Sequence, residues 1–148
     1  MNPKPIQILL IEDNEGDILL TTDALLEGKL LKNITVVRDG WEAIQCLEKK
    51  DQYKDALSPD LIILDINLPK LNGHEVLKKI KSNEITKQIP VIILTTSSAE
   101  SDIISCYKNY ANTYITKPID IKNFLDMIDS IENFWLSIAQ LPSKVKFV

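Results

Sequence analysis

The sequence predicts an α/β fold, a parallel sheet with helices on both faces. Three observations predict it. Five short apolar runs recur along the 148 residues. An amphipathic stretch follows each run. The first, third and fourth runs are nearly continuous Ile, Leu and Val, as strands covered on both faces should be.

The first run is Ile6 to Ile11. The stretch from Asp17-Ile18-Leu19-Leu20 through Leu26 has apolar residues at helical spacing and stops at Gly28. The second run, Ile34 to Val37, is shorter and more polar, which places it near a sheet edge. Trp41, Ile44 and Leu47 follow Gly40 in steps of three and predict a second helix. The third run is Leu61 to Leu64, followed by Val76, Leu77 and Ile80 after Gly73. The fourth is Val91 to Leu94, followed by Ile103, Ile104 and Tyr107 after Asp102. The fifth, Thr113 to Ile115, is again an edge candidate.

The last helix starts after Pro118 with Asp120 as N-cap and runs to about Leu141. That is about 22 residues, or about 33 Å. Phe124, Ile128, Ile131, Trp135 and Ile138 make one apolar stripe, expected to face the sheet. Met127, Phe134 and Leu141 make a second, seven residues apart. An uncovered second stripe is a partner surface, so Met127, Phe134, Trp135 and Leu141 are the candidate interface residues. Pro142 to Val148 is expected to be a loose tail, leaving a core of residues 5–141 within one domain of residues 1–148.

Composition removes several functions. The chain has 17 Lys and Arg against 21 Asp and Glu, a formal charge of −4. A nucleic-acid domain held by a basic footprint is not expected. The longest apolar runs are four residues, far short of a membrane span. Met1-Asn2-Pro3-Lys4-Pro5 has no apolar stretch of the secretory type, so the cytoplasm is the default location. Cys46 and Cys106 read as small buried apolar residues. One histidine, His74, rules out a histidine-cluster metal site and argues against a Ser-His-Asp machine.

Acids remain. In an open parallel sheet, ligands bind beyond the carboxyl ends of the strands. Glu12 and Asp13 follow the first run, Asp65 the third and Thr95 the fourth, and Lys117 and Pro118 come shortly after the fifth. Singly, each has an ordinary explanation as a cap, a turn or a solvated charge. Together they put three acids, a hydroxyl and a lysine on one edge. Two like charges roughly 4 Å apart repel by about 4 kcal/mol at an effective dielectric of 20. A divalent cation relieves that, and a set of oxygen ligands suits Mg²⁺; without metal, a carboxylate pKa must rise. Such a site fits phosphoryl transfer. Asp65 is the best nucleophile, with Lys117 and Thr95 placed to bind the phosphoryl oxygens.

These residues resemble the receiver domain of two-component response regulators. The matching pieces are Ile-Glu-Asp (11–13), Leu-Asp-Ile-Asn-Leu-Pro (64–69), Asn-Gly (72–73), Leu-Thr-Thr-Ser (94–97) and Tyr-Ile-Thr-Lys-Pro (114–118). The resemblance implies a doubly wound five-stranded sheet in the order 2-1-3-4-5. It implies that Asp65 is the phosphoacceptor. Mg²⁺ would be held by Glu12, Asp13, Asp65 and the backbone carbonyl of Asn67. Thr95 and Lys117 would bind the phosphoryl group, Tyr114 would be the aromatic switch, and Lys117-Pro118 would be a cis peptide. Asn72 stands where the family more often has Asp. Asn14-Glu15-Gly16-Asp17, Val37-Arg38-Asp39-Gly40, Asn67-Leu68-Pro69-Lys70 and Ile131-Glu132-Asn133-Phe134-Trp135 look like the single-domain regulators of bacterial phytochrome-type histidine kinases.

The implied function is a stand-alone phosphoacceptor switch and not a turnover enzyme. Its partners would be a sensor histidine kinase, a second copy across the fourth helix, fifth strand and last helix, and a downstream protein or phosphotransfer partner. Two alternatives stay open. A haloacid-dehalogenase-type phosphohydrolase shares the aspartyl-phosphate chemistry, but puts Asp-x-Asp after its first strand; here Asp65-Ile66-Asn67 follows the third. The other is a receiver-fold binding module that is not phosphorylated. A flavin-binding flavodoxin is disfavoured, because Glu-Asp-Asn-Glu-Gly-Asp (12–17) would repel a phosphate.

Overall fold

The computed structural model describes residues 4–142. The expected loose tail therefore lies, beyond Pro142, outside the described residues. Five parallel strands form one sheet: β1 (Ile6–Ile11), β2 (Lys32–Val37), β3 (Leu61–Leu64), β4 (Val91–Thr95) and β5 (Thr113–Thr116). Their order is β2-β1-β3-β4-β5, so the two polar runs are the edges, as the sequence predicts. The helices are α1 (Glu15–Leu26), α2 (Gly40–Leu47), α3 (Gly73–Ser82), α4 (Glu100–Lys108) and α5 (Ile121–Ile131), with a 3₁₀ turn at Asp51–Tyr53. No helix among the described residues is long and apolar enough to cross a membrane.

Alternation along the strands divides the core in two. Leu9, Ile11, Ile62, Leu64 and Ile93 point to one face, where Ala43 and Cys46 of α2, Val76, Leu77 and Ile80 of α3, and Cys106 of α4 cover them. Ile8, Leu10, Ile63, Ile92 and Leu94 point to the other, against Ile18 and Leu25 of α1 and Phe124, Ile128 and Ile131 of α5. A side chain of this size contributes about 1.5–3 kcal/mol on full burial. Four helices open on a side-chain cap. The carboxyl or amide oxygens of Asn14, Asp39, Asn72 and Asp120 accept from the N–H groups of Asp17, Glu42, Glu75 and Asn123. Each such cap stabilises by about 1 kcal/mol.

Two helices depart from the sequence reading. In α2 the buried residues are Gly40, Ala43 and Cys46, while Trp41 is 55% exposed. Gly40 lies so close to the Leu71 carbonyl that a Cβ would overlap it. A helix pressed that near a neighbouring loop turns its small residues inward and leaves the indole outside.

The last helix ends earlier than Leu141. After Ile131 the chain becomes π-helical over Glu132–Ile138, and Ala139 is extended. The Ala139 N–H donates to the Phe134 carbonyl at 2.7 Å, an i→i+5 bond. The wider turn rotates the faces. Leu136 and Leu141 are buried, Trp135 is half-buried and Ile138 is exposed. Leu141 is therefore a core residue and not an interface residue: it packs with Phe124, Ile128 and Ile131. Met127 and Trp135 are half-buried against the same core, whereas Phe134 is 53% exposed and meets Trp135 edge-on at 5.5 Å. The segment is anchored by a buried ion pair, Lys32 Nζ to Glu132 Oε1 at 2.8 Å. The Glu132 carboxylate fills the space a Cβ would occupy at Gly28.

Candidate functional site

Backbone pairing continues one residue beyond the strands and fixes the site. The Glu12 N–H donates to the Val37 carbonyl, Asp65 N–H to Ile11, and Lys117 N–H to Thr95. Glu12, Asp65, Thr95 and Lys117 thus leave four strands on one edge, and all four are buried. Gly73 permits this geometry. A Cβ there would overlap the Cα of Ile66, so α3 starts directly against the Asp65 loop.

Lys117 is the hub. Its Nζ donates to Glu12 Oε1 at 2.8 Å, Asp17 Oδ2 at 2.8 Å and Asp65 Oδ2 at 3.0 Å. The second Asp65 oxygen, Oδ1, accepts the Asn67 N–H at 2.9 Å. The carboxylates of Glu12, Asp13 and Asp65 each present an oxygen within 4.8 Å of the others, with Asp13 exposed at the mouth. One lysine among four acids leaves the pocket negative.

The titration behaviour follows from that excess. Burial pushes the Glu12 carboxyl up to about 8; its hydrogen bond with Asp65 adds to this, and Lys117 only partly offsets it. Burial also acts upward on Asp65. There, hydrogen bonds from Glu12 and the Asn67 amide, with the Lys117 charge, outweigh burial and hold the carboxyl below the usual range. Burial works against the Lys117 ammonium, but its bonds to Asp17 and Glu12 prevail and raise it. Glu12 thus takes the proton and Asp65 stays ionised, the state a nucleophilic carboxylate needs. The donor set is oxygen alone, clustered and over-charged, which fits a hard divalent cation.

Thr95 is fully buried and is tied to Asp65 through Asn67, which bonds to both. Its Oγ1 accepts from Asn67 Nδ2 at 3.3 Å and from the Ser97 N–H at 3.4 Å. The half-buried Tyr114 donates its hydroxyl to the Ser97 carbonyl at 2.9 Å. Burial raises its phenol pKa.

One expectation fails and two groups were missed. No cis peptide occurs among the described residues, so Lys117-Pro118 is trans. Trans is the lower-energy isomer by about 0.5–1 kcal/mol, and it already lets Lys117 reach all three acids. By sequence Asp17 reads only as the start of the first helix. The Asn14 cap turns the first turn of α1 back over the edge, where Asp17 joins Lys117. Its signal is a fourth acid within six residues, five after Glu12 and opposite a lone lysine. Asp102, His74 and Ser97 are also drawn together next to Thr95, and nothing in their spacing announces it.

The response regulator receiver domain model matches residues 8–129. Response regulator Rcp1 of Synechocystis sp. is 41% identical over 142 residues, 96% of each chain. The phosphorylated cyanobacterial phytochrome response regulator RcpA superimposes with a TM-score of 0.92 at 44% identity, over 94% of this chain and 99% of that one. The Mn²⁺-bound form of Rcp1 superimposes at 0.91 with 40% identity, over 93% and 99%.

Proposed function

The chain belongs to the response regulator receiver family, and from that premise we propose that Asp65 is its phosphoacceptor. The observation that carries the assignment is the three-way contact of Lys117 with Glu12, Asp17 and Asp65 at the carboxyl edge of the sheet. A histidine kinase is the donor, of phytochrome type by analogy with RcpA. An Asp65 carboxylate oxygen attacks the phosphorus of a phosphohistidine. A P–O bond forms, the P–N bond breaks, and the imidazole leaves with the bonding pair and takes a proton. Lys117 neutralises charge on the transferring oxygens, and the Thr95 hydroxyl donates to one of them.

Mg²⁺ is the cofactor we assign to Glu12, Asp13, Asp65 and the Asn67 carbonyl; when bound it neutralises charge on the phosphoryl oxygens. Glu12 must give up its proton to act as a ligand, so metal binding releases a proton near neutrality. The acyl phosphate is later discharged to water, which makes the chain a switch and not a turnover enzyme.

Output passes to a downstream protein or phosphotransfer partner. A second copy docks on α4, β5 and α5, where Ile104, Tyr107, Ile121 and Leu125 are exposed. Sedimentation of wild type and Phe134→Ala tests whether the exposed ring on the π-helical segment takes part; equal association in both removes it. The central experiment is incubation of wild type and Asp65→Asn with acetyl phosphate and Mg²⁺, read by intact mass. Wild type gains one phosphoryl group and the variant none. An equally labelled variant overturns the assignment.

A further inference from the structure

A chain of side-chain bonds ties the loop after β4 to a helix two elements away. Ser97 Oγ donates to Asp102 Oδ2 in α4 at 2.6 Å. Asp102 Oδ1 lies 2.9 Å from His74 Nε2 at the start of α3. A carboxylate only accepts, so Nε2 carries the proton. His74 Nδ1 then faces the Ser105 hydroxyl at 3.4 Å, which fixes the ring from the other side.

Ser97 is where this chain meets the switch. Its N–H donates to Thr95 Oγ1, and its carbonyl accepts from Tyr114 at 2.9 Å and from the Thr116 hydroxyl at 3.4 Å. Its hydroxyl oxygen also accepts the Ala99 N–H at 3.3 Å. Ala99, the N-cap residue of α4, has no side chain able to cap the helix, so the first turn of α4 leans on the Ser97–Asp102 bond. The bonds from Ser97 and His74 hold the Asp102 carboxyl below the usual range, keeping it an acceptor.

We propose that His74 and Asp102 form a latch. It holds the β4–α4 loop in its resting position and opposes the movement of Thr95 toward a phosphoryl group on Asp65. The proposal rests on the reading of Asp65 given above. Thr95 Oγ1 can keep the Ser97 N–H while giving its own proton to a phosphoryl oxygen, so a shift of Thr95 toward Asp65 draws the loop with it through that bond. That displacement pulls Ser97 from Asp102. His74 braces the other Asp102 oxygen from a separate helix, so the carboxylate cannot simply swing after the serine. A phosphoryl group therefore selects a minority arrangement, and its apparent affinity is lowered by the fraction of molecules already released. His74 acts through Asp102 and Ser97; it is a positioning residue.

The test uses the full chain, Mg²⁺ and beryllium fluoride as a non-covalent phosphoryl mimic, with hydrogen exchange over residues 96–103 measured on the free protein. His74→Ala should bind the mimic about three- to tenfold more tightly and exchange faster in that loop. Asp102→Ala cuts the same link from the other side and should do likewise. His74→Gln, whose amide nitrogen reaches the place of Nε2, should return both readings to wild type. Unchanged affinity in His74→Ala and Asp102→Ala, beside a wild type that binds, overturns the latch alone. Faster exchange with unchanged affinity also overturns it, by making the tie merely structural. A wild type that binds no mimic overturns the reading of Asp65, and the latch as a switch falls with it.

Discussion

Two lysines mark the two ends of the sheet. At the carboxyl edge, Lys117 contacts the carboxylates of Glu12, Asp17 and Asp65. At the amino edge, Lys81 reaches, among the described residues, the neutral carbonyls of Lys87 and Ile89 and the amide oxygen of Asn112. Burial accordingly lowers the Lys81 pKa, while the acids raise that of Lys117 against burial. A third lysine, Lys32, sits between these extremes, matched to the single carboxylate of Glu132. The amino edge is a plug that satisfies loop carbonyls. The carboxyl edge holds more negative charge than its lysine can balance, and that surplus makes it a binding site.

Cutting the hub should have the largest effect. Lys117→Met leaves the acids facing one another and should cost about 3 kcal/mol in metal-free buffer. Urea unfolding with and without millimolar Mg²⁺ checks this; the variant should regain more stability from the metal than wild type does. An equal gain in both would mean that Lys117 does not compete with a cation. The balanced pair comes next. Glu132→Gln strands a buried ammonium and should cost about 2–3 kcal/mol, whereas Lys32→Met with Glu132→Leu should be close to neutral. Neither change should alter Mg²⁺ affinity.

A third test uses pH. Burial holds the folded-state Glu12 carboxyl at about 8, far above the ordinary 4.5 of a glutamate. The folded form therefore holds the proton that the unfolded form releases. Metal-free stability should fall as pH rises from about 4.5 to 8, and Tm should drop by a few degrees across that window. Glu12→Gln should flatten the slope. Asp65 acts in the opposite sense: its lowered pKa contributes stability above its unfolded value, lost on acidification through the folded one. The smallest effect belongs to the plug. Lys81→Met takes its donor from the Lys87 and Ile89 carbonyls, while Asn112 Oδ1 keeps the Val91 N–H, and should cost about 1–2 kcal/mol with phosphoryl uptake unchanged; a loss of uptake would mean that the two edges communicate.

Much of the carboxyl edge was legible because period-2 burial and strand-end position are local properties. Glu12, Asp13 and Asp65 follow largely buried runs, Thr95 closes another, Lys117 follows the half-buried edge strand β5, and a parallel sheet delivers such positions to one side. Asp17 was not legible, because its role depends on how a cap turns α1. The Ser97–Asp102–His74 chain joins three elements through side-chain reach, which no periodicity encodes. The final helix failed for a sharper reason. Its stripe assumed 3.6 residues per turn, and the π-helical segment breaks that spacing just where Glu132 must meet Lys32. Trp41 lies outside because Gly40 sits against the Leu71 carbonyl, a closeness that no hydrophobic spacing encodes.

That buried pair limits how the molecule can be rebuilt. Glu132 occupies the volume of the methyl missing at Gly28 and neutralises Lys32, so the three residues form one unit spread over a hundred positions of chain. A hybrid that borrows only the C-terminal segment would import a carboxylate with neither a cavity nor a counter-ion to receive it. Exchange of this segment between related chains should succeed only when the α1–β2 connection travels with it.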